Sequence, residues 1–324
     1  MRKKCSLKKA SIVVLAIGLV LLFGGLASAA TGSGTQSTVT ECQTIDEPGK
    51  YTLAENLTTH ENTCLEIAAS DVKLEGNGHT IKRTDVDTAD GNIVGVYIDR
   101  DVNNPTNITV QNFTTTGWEY GIRFDGVVDS QIRNVTAEDN EKHGIDVRFF
   151  SENVTVADSV AIDNGARGIY FLSFTRGSAI VDSVAEKNGF DRSNGAGIGV
   201  ATSSRNNVLE NNTVLDNRNG VFVGFFSSDN VIRQSEIADN EVGVFLDDSD
   251  NEVTRNDIEG NDKGLVNDGS GTAAATENWW GHASGPSGDD GRTNPAGNVV
   301  GQGDKIEGDT EFDPWLRQPV HKAS

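Results

Sequence analysis

The chain has 324 residues, enough for one large domain or two ordinary ones, and a formal net charge of −21. All 48 acidic residues lie after residue 30, so the chain beyond that point is strongly acidic. This charge excludes nucleic-acid binding through neutralisation of phosphates. An acidic excess with few lysines is typical of proteins that tolerate very high salt, which screens the self-repulsion, and it predicts a halophilic source.

The first thirty residues have the parts of a secretory signal peptide. A basic start, with five lysines and arginines, precedes an apolar run over residues 12–27, and Ala27-Ser28-Ala29 offers a cleavage site. The run is short for a bilayer span, so a retained membrane anchor is the less favoured alternative. We expect residues 1–30 to be removed, residues 31–40 to form a linker, and the mature protein to be secreted or to lie at the cell surface.

Two cysteines remain after removal of the signal peptide. In an exported chain, Cys42 and Cys64 are expected to form one disulfide. Closing that loop contributes about 3 kcal/mol on the chain-entropy account. The chain also carries Asn-x-Ser/Thr sequons, which are candidate glycan acceptors, at Asn56, Asn107, Asn112, Asn134, Asn153 and Asn211.

A repeat of roughly 23 residues runs through most of the chain. Its units read EYGIRF (119–124), KHGIDV (142–147), ARGIYF (166–171), GAGIGV (195–200), RNGVFV (218–223), EVGVFL (241–246) and DKGLVN (262–267). Each unit is followed by a second short alternating run and then by an asparagine: Asn140, Asn164, Asn188, Asn217, Asn240 and Asn261. Apolar residues at every second position have the period of a β-strand.

A five-residue strand cannot bury its apolar face alone, but stacked coils about 4.8 Å apart can. Stacking places Ile and Val over Ile and Val, and it lets the asparagine amides hydrogen-bond along a ladder. The glycine before each strand is expected to supply the backbone angles of a tight bend. These features predict an all-β fold, a single-stranded right-handed parallel β-helix of about eight to ten coils over residues 41–277.

The repeats resemble those of the parallel β-helix repeat family, and the chain resembles exported proteins with a NosD-like β-helix domain from halophilic archaea. Residues 41–81 are similar to the N-terminal segment of such proteins, including both cysteines and the turn GNGHTI (76–81). ENWWGHASGPSG (277–288) and FDPWL (312–316) are similar to their closing segment. The resemblance implies a disulfide-braced start over residues 41–81. It leaves function open, because one fold hosts many activities.

The NosD-like resemblance implies copper delivery as one alternative. Copper(I) favours soft ligands, yet the only methionine is residue 1 and both remaining cysteines are expected to be bonded together. The histidines are scattered, at His60, His79, His143, His282 and His321. Hard oxygen ligands in GPSGDDG (285–291), with Asp304, Glu307 and Asp309, offer a weak candidate calcium site. We therefore predict that the protein has no copper site and requires no cofactor.

A carbohydrate-active enzyme, a polysaccharide lyase or a glycoside hydrolase, is the second alternative. Such chemistry needs positioned carboxylates, or a base with an arginine that neutralises a uronate. The candidate catalytic residues occupy outward positions of two successive coils: Arg123, Asp125, Asp146 and Arg148. Stacking also predicts a purely structural role, with Arg123 over Asp146 and Asp125 over Arg148 as opposite-charge pairs.

The favoured function is non-catalytic binding of an extracellular polysaccharide or a cell-surface protein along one strand face. The candidate binding residues are three outward aromatics and two residues of a six-residue insertion: Tyr170, Phe222, Phe245, Phe190 and Arg192. Exposed aromatic rows indicate contact with a partner, and Gly199 would leave a notch beside the insertion. The alternative is that the rings stack on one another or lie under a loop. The bend residues Phe149, Phe150, Phe174, Phe225 and Phe226 are expected to fill the core.

The tryptophan-rich segment near the C-terminus begins where the 23-residue rhythm ends. The last coil of a β-helix exposes apolar side chains and unpaired strand edges. Trp279, Trp280 and Trp315 are large enough to cover that end. We expect residues 278–324 to be a capping segment and tail rather than a binding site.

Overall fold

The structure, a computed structural model, describes residues 35–84, 93–99, 104–288 and 301–321. The signal-peptide prediction, part of the linker and residues 289–291 of the calcium candidate lie outside these residues. The described residues belong to one compact unit. The described ranges contain strands and turns and no helix, so none of them has a helix with the length and hydropathy needed to cross a membrane.

Two parallel sheets make up the fold. The 12-stranded sheet consists of Gln43–Ile45, Thr63–Ile67, Val94–Ile98, Tyr120–Asp125, His143–Arg148, Arg167–Leu172, Ala196–Ala201, Asn219–Gly224, Val242–Leu246, Lys263–Asn267, Pro286–Gly288 and Gly303–Glu307. The 18-stranded sheet consists of Thr35–Val39, Gly49–Leu53, Leu57–Thr59, Val72–Arg83, Thr109–Thr116, Val128–Glu138, Glu152–Ala157, Val160–Ile162, Ala179–Val181, Val184–Glu186, Val208–Glu210, Thr213–Leu215, Val231–Arg233, Glu236–Ala238, Glu252–Thr254, Asp257–Glu259, Ala273–Ala274 and Thr310–Glu311.

Successive repeats stack in register. Ile145 is paired with Ile122 on one side and with Ile169 on the other, and the same column continues through Ile198, Val221, Val244 and Leu265. These side chains are at most 1% exposed and form the core between the sheets. The predicted parallel β-helix is thereby confirmed.

The sheets extend beyond the range that the sequence assigns to coils. Residues 35–39, expected to be linker, form a strand that pairs with Gly49–Leu53, and Val39 of this strand is fully buried in the core. At the other end, Gly303–Glu307 pairs with Lys263–Asn267. The solenoid therefore adds strands both before residue 41 and after residue 277.

The asparagine ladder runs through the interior of the bend that precedes each of the successive strands of the 12-stranded sheet. Each amide Nδ2 donates to the Oδ1 of the next asparagine at 2.9–3.1 Å, from Asn140 to Asn261. The ladder ends on Asp304, whose Oδ2 accepts from the Asn261 amide at 2.8 Å. A further column, not recognised in the sequence, consists of serines and asparagines at another bend: Ser159, Ser183, Asn212, Ser235, Asn256 and Asn278.

The repeat glycines are needed for a different reason from the predicted bend. None of the seven, Gly121 to Gly264, is among the residues with positive φ. A Cβ at Gly168 would lie 2.6 Å from the Gly197 carbonyl oxygen and 2.9 Å from Nδ2 of Asn188. The glycine therefore makes room for the ladder amide and for the neighbouring coil.

The predicted disulfide is confirmed. Cys42 and Cys64 are bonded with an S–S distance of 2.08 Å and a Cα–Cα distance of 4.4 Å. Cys42 directly precedes Gln43–Ile45 and Cys64 lies in Thr63–Ile67, so the bond links the first two strands of the 12-stranded sheet. Cys64 is 2% exposed and is part of the core.

The tryptophans of the closing segment have unequal environments. Trp280 is fully buried in the core, with its ring against Gly264, whereas Trp279 is 9% exposed and donates from Nε1 to Glu259 at 2.9 Å. Trp315 lies over Gly285 and donates to the Ala283 carbonyl at 3.3 Å. Capping stays a prediction, and these contacts make Trp280 its main candidate.

Candidate site on the outer face of the 12-stranded sheet

The outer face of the 12-stranded sheet carries most of the residues predicted to be functional. Along each strand, side chains alternate between the core and this face. Charged and aromatic residues occupy the outward positions over three successive strands, Tyr120–Asp125, His143–Arg148 and Arg167–Leu172. We call the set Tyr120, Arg123, Asp125, His143, Asp146, Arg148, Arg167 and Tyr170 the arginine cluster.

Two ion pairs connect neighbouring strands in the arginine cluster. Nε of Arg123 donates to Oδ2 of Asp146 at 3.1 Å, and both side chains are 1% exposed. Nε of Arg148 donates to Oδ1 of Asp125 at 2.7 Å, with a second bond from the same guanidinium at 3.1 Å. Burial raises the pKa of both carboxyls, while the arginines act in the opposite direction. These are the two opposite-charge pairs that the sequence predicts if these four residues have a purely structural role.

Arg167 differs from the other two arginines because it has no carboxylate partner among the described residues. Its guanidinium lies 4.1 Å from the centre of the Tyr170 ring, and its Nε is buried without a hydrogen-bond acceptor. Burial lowers the pKa of this guanidinium. A cation in this position lacks the hydrogen-bonded counter-charge that buried ions normally have.

His143 lies between two tyrosines next to the arginines. Its ring centre is 5.5 Å from that of Tyr120 and 5.1 Å from that of Tyr170. Burial and the charge of Arg167 hold its pKa well below the usual value of 6.5, so the imidazole is neutral at pH 7. Nδ1 of His143 and Oδ1 of Asp146 are buried and have no partner in the described part of the chain. Sequence reasoning missed His143 and Arg167 because one histidine and one arginine carry no motif.

The predicted row of bare aromatics on this face is wrong. Tyr170 is 4% exposed and Phe222 is 3% exposed, and Phe245 is partly buried against Phe222 at 5.5 Å between ring centres. The expected notch at Gly199 is filled, since a Cβ there would lie 2.8 Å from both Arg167 and Tyr170. The rings lie flat on neighbouring glycines and on one another, as the stacking alternative predicts.

Four of the five aromatics at the following bend are exposed, so their predicted place in the core is also wrong, whereas Phe149 is partly buried. The exposed fraction is 62% for Phe150, 44% for Phe174, 44% for Phe225 and 80% for Phe226. Consecutive residues in the left-handed region turn these side chains away from the interior. Phe190 and Arg192 of the insertion are both exposed. The insertion precedes Ala196–Ala201, so it lies at the amino-terminal ends of the strands, whereas the exposed phenylalanines follow their carboxyl-terminal ends.

Family models match two parts of the chain. The model described as "right handed beta helix region" matches residues 49–204, and the model described as "periplasmic copper-binding protein (NosD)" matches residues 175–282. The chain is a right-handed parallel β-helix repeat protein. No curated protein sequence matches this β-helix chain.

Solved structures share this β-helix. The A-module of Azotobacter vinelandii mannuronan C-5 epimerase AlgE6 superposes with a TM-score of 0.55 at 18% identity, covering 82% of this chain and 91% of that one. The AlgE4 A-module of the same organism gives 0.54 at 19%, covering 85% and 90%. Pectate lyase Pel9A gives 0.51 at 14%, covering 82% and 74%. At these identities the similarity shows the fold.

The donor atoms of this β-helix do not fit a copper centre. Cys42 and Cys64, the two cysteines among the described residues, form the disulfide, and these residues contain no group of three His, Cys, Asp or Glu side chains that could hold a metal. The carboxylates of the calcium candidate have protein partners: Asp304 ends the ladder, Glu307 pairs with Lys263 at 2.8 Å, and Asp309 accepts from Thr272 at 2.8 Å.

Proposed function

We propose that this β-helix protein is exported and binds an acidic polysaccharide through the arginine cluster on the outer face of its 12-stranded sheet. The observation that carries the proposal is Arg167, a partly buried arginine whose guanidinium has no carboxylate partner, and whose buried Nε has no acceptor, among the described residues. Planar guanidinium groups bind carboxylates through paired hydrogen bonds. A uronate carboxylate is the counter-ion that this position lacks.

Charge balance supports an anionic ligand. The arginine cluster contains three arginines, two aspartates and a neutral histidine, so it is locally cationic within a chain of net charge −21. Burial shields the cluster from salt better than an exposed site. Binding is therefore expected to persist in molar salt, where the rest of the acidic surface is screened.

The names of the similar folds support the same ligand class. Mannuronan and pectate, which appear in the names of the epimerases and the lyase, are polymers whose sugars carry carboxylates. An extracytoplasmic location, needed to meet such a polymer, is supported by the disulfide and by the periplasmic description of the NosD model.

A second candidate is catalysis on the same polymer, favoured by His143. A neutral imidazole with an unpartnered Nδ1 can accept a proton, and arginines at the carboxylate would stabilise the charge that develops when the carbon beside it is deprotonated. Elimination and epimerisation of uronates both begin with that step.

The binding test compares the purified protein with two arginine variants in molar salt, using polymannuronate, polygalacturonate and neutral dextran in calorimetric titrations. Arg167→Gln is expected to weaken binding of the acidic polymers about tenfold or more. Arg133→Gln is the matched control, because Arg133 is half exposed and pairs with Asp158 on the other sheet. Equal affinity for dextran, or an unchanged affinity of Arg167→Gln, would contradict the proposal.

Catalysis is tested on the same samples by NMR, which reports unsaturated ends and inverted sugar configuration. If the second candidate holds, His143→Gln abolishes product formation while acidic-polymer binding persists. Absence of product from the unaltered protein on both polymers leaves binding as the function.

A further inference from the structure

A row of exposed phenylalanines borders the arginine cluster at the bend after the 12-stranded sheet. We call Phe150, Phe174 and Phe226 the phenylalanine row; Ser203 occupies the equivalent position of the coil between the last two. All four residues have left-handed backbone angles, with φ of 64°, 68°, 63° and 59°. The three rings are 62%, 44% and 80% exposed.

Both the backbone and the exposure of this row oppose stability. A bulky residue at positive φ costs about 1–2 kcal/mol, and aspartate, asparagine or glycine would adopt these angles more easily. Exposed rings also contribute little to the free energy of folding. Strain of this kind concentrates at binding sites, where the side chain is used for something other than folding.

Hydrogen bonds fix the register of the row. Phe150 N donates to the Ser173 carbonyl at 3.0 Å, Phe174 N to the Thr202 carbonyl at 3.0 Å, and Ser203 N to the Phe225 carbonyl at 2.9 Å. In this register Phe150 and Phe174 stack, with ring centres 4.7 Å apart and planes 3° from parallel.

Ser203 interrupts this stack and leaves a slot. Its coil places a small hydroxyl where Phe150, Phe174 and Phe226 place rings, and Phe174 and Phe226 flank it two coil steps apart, roughly 9–10 Å. One further six-membered ring inserted at the spacing of the Phe150–Phe174 pair would contact both flanking side chains. Half-buried Ser203 forms the floor of the slot.

We propose that the slot between Phe174 and Phe226 holds one pyranose ring of the acidic polysaccharide, with Ser203 beneath it. This inference rests on the proposed function. The C–H faces of a pyranose pack on aromatic rings, and Ser203 can hydrogen-bond a sugar hydroxyl. The row adjoins the arginine cluster along the chain, because the Arg148 guanidinium of the cluster lies 4.4 Å from the ring of Phe149, the residue that precedes Phe150. One chain can then engage the arginines with its carboxylates and the slot with a neighbouring sugar.

The test fills the slot. Ser203→Phe completes the row with a residue that already adopts this backbone conformation three times. Its cost at positive φ, about 1–2 kcal/mol, is offset in part by stacking on Phe174, so the melting temperature is expected to fall only slightly. Affinity for polymannuronate and polygalacturonate oligomers is expected to fall about fivefold, as removal of one stacking contact predicts. Ser203→Ala is the matched control, since it keeps the slot open and is expected to bind within about twofold of the unaltered protein.

A second variant, Phe226→Ala, removes one of the two rings that flank the slot. It tests the inference independently in case Ser203→Phe does not fold. It is expected to weaken binding about fivefold as well, without lowering the melting temperature, because Phe226 is exposed. Unchanged oligomer affinity in folded Ser203→Phe would overturn the inference and leave an aromatic segment of a partner protein as the remaining occupant. If Arg167→Gln still weakens binding in that case, the proposed function stands without the slot.

Discussion

Nδ2 of Asn188 donates to Oδ1 of Asn217 at 3.0 Å, and both side chains are sealed inside the solenoid at 0% and 1% exposure. The same amide also donates to the carbonyls of Ala161 and Glu186, at 2.9 and 3.0 Å. Its oxygen accepts from the backbone and side chain of Asn164. One buried amide therefore satisfies polar groups of three successive coils.

Asn188→Ala is expected to lower the free energy of unfolding by about 3 kcal/mol or more, because several buried donors and acceptors lose their partners together. Chemical denaturation in molar salt measures this change. Asn194→Ala, at an exposed asparagine of the insertion, is the control and should stay within about 0.5 kcal/mol. A loss below about 1 kcal/mol at Asn188 would mean that water replaces the ladder.

His143 gives the folded protein a defined dependence on pH. The unfolded chain binds a proton at this histidine near its usual pKa of 6.5, whereas burial and Arg167 keep the folded imidazole neutral well below that value. Its contribution to stability is therefore present above pH 6.5 and is lost as the pH falls, by up to about 1.4 kcal/mol per unit.

His143→Gln is expected to flatten the fall of the melting temperature between pH 7.5 and 5 relative to the unaltered protein. His60→Gln changes an exposed histidine and serves as control. Parallel pH curves for the unaltered protein and His143→Gln would show that folding does not lower the pKa of His143.

The sequence was sufficient to predict the β-helix because alternation and repeat spacing can both be read along the chain. Alternation assigns Ile122 and Phe124 to the interior, and alignment of the repeat units on their shared glycines places Ile145 and Val147 over them. Register and core follow from such spacing, whereas the disulfide follows from the pairing of two cysteines in a chain expected to be exported.

The surface site could not be predicted in the same way, because it depends on how side chains lie across several coils. Tyr170 is outward by alternation, yet it is buried since its ring lies on Gly199 beneath Arg167. Phe150 is apolar and was expected inside, yet its left-handed backbone turns it outward. Neither outcome is encoded by hydrophobicity.

Two glycines distinguish steric from conformational requirements. Gly168→Ala places a Cβ 2.6 Å from a carbonyl oxygen at ordinary φ, whereas Gly177 has a φ of 58° and no neighbouring atom within 4 Å of the place that an added Cβ would occupy. We expect Gly168→Ala to cost about 3 kcal/mol or more, through overpacking and disruption of the ladder, and Gly177→Ala about 1–2 kcal/mol through backbone strain alone. Denaturation midpoints compare them, and equal losses would contradict the steric account.

The closing segment is tested by its two adjacent tryptophans. Trp280→Ala is expected to cost about 3–5 kcal/mol, because it empties the fully buried space beside Gly264. Trp280→Phe should cost less, since the indole Nε1 has no acceptor among the described residues and its loss is offset. Trp279→Ala removes a partly exposed ring and its bond to Glu259, and is expected to lower stability by a smaller amount. All three variants should bind acidic polymers as the unaltered protein does when they are folded. Weaker binding by Trp279→Ala at an unchanged melting temperature would instead assign this segment to ligand recognition.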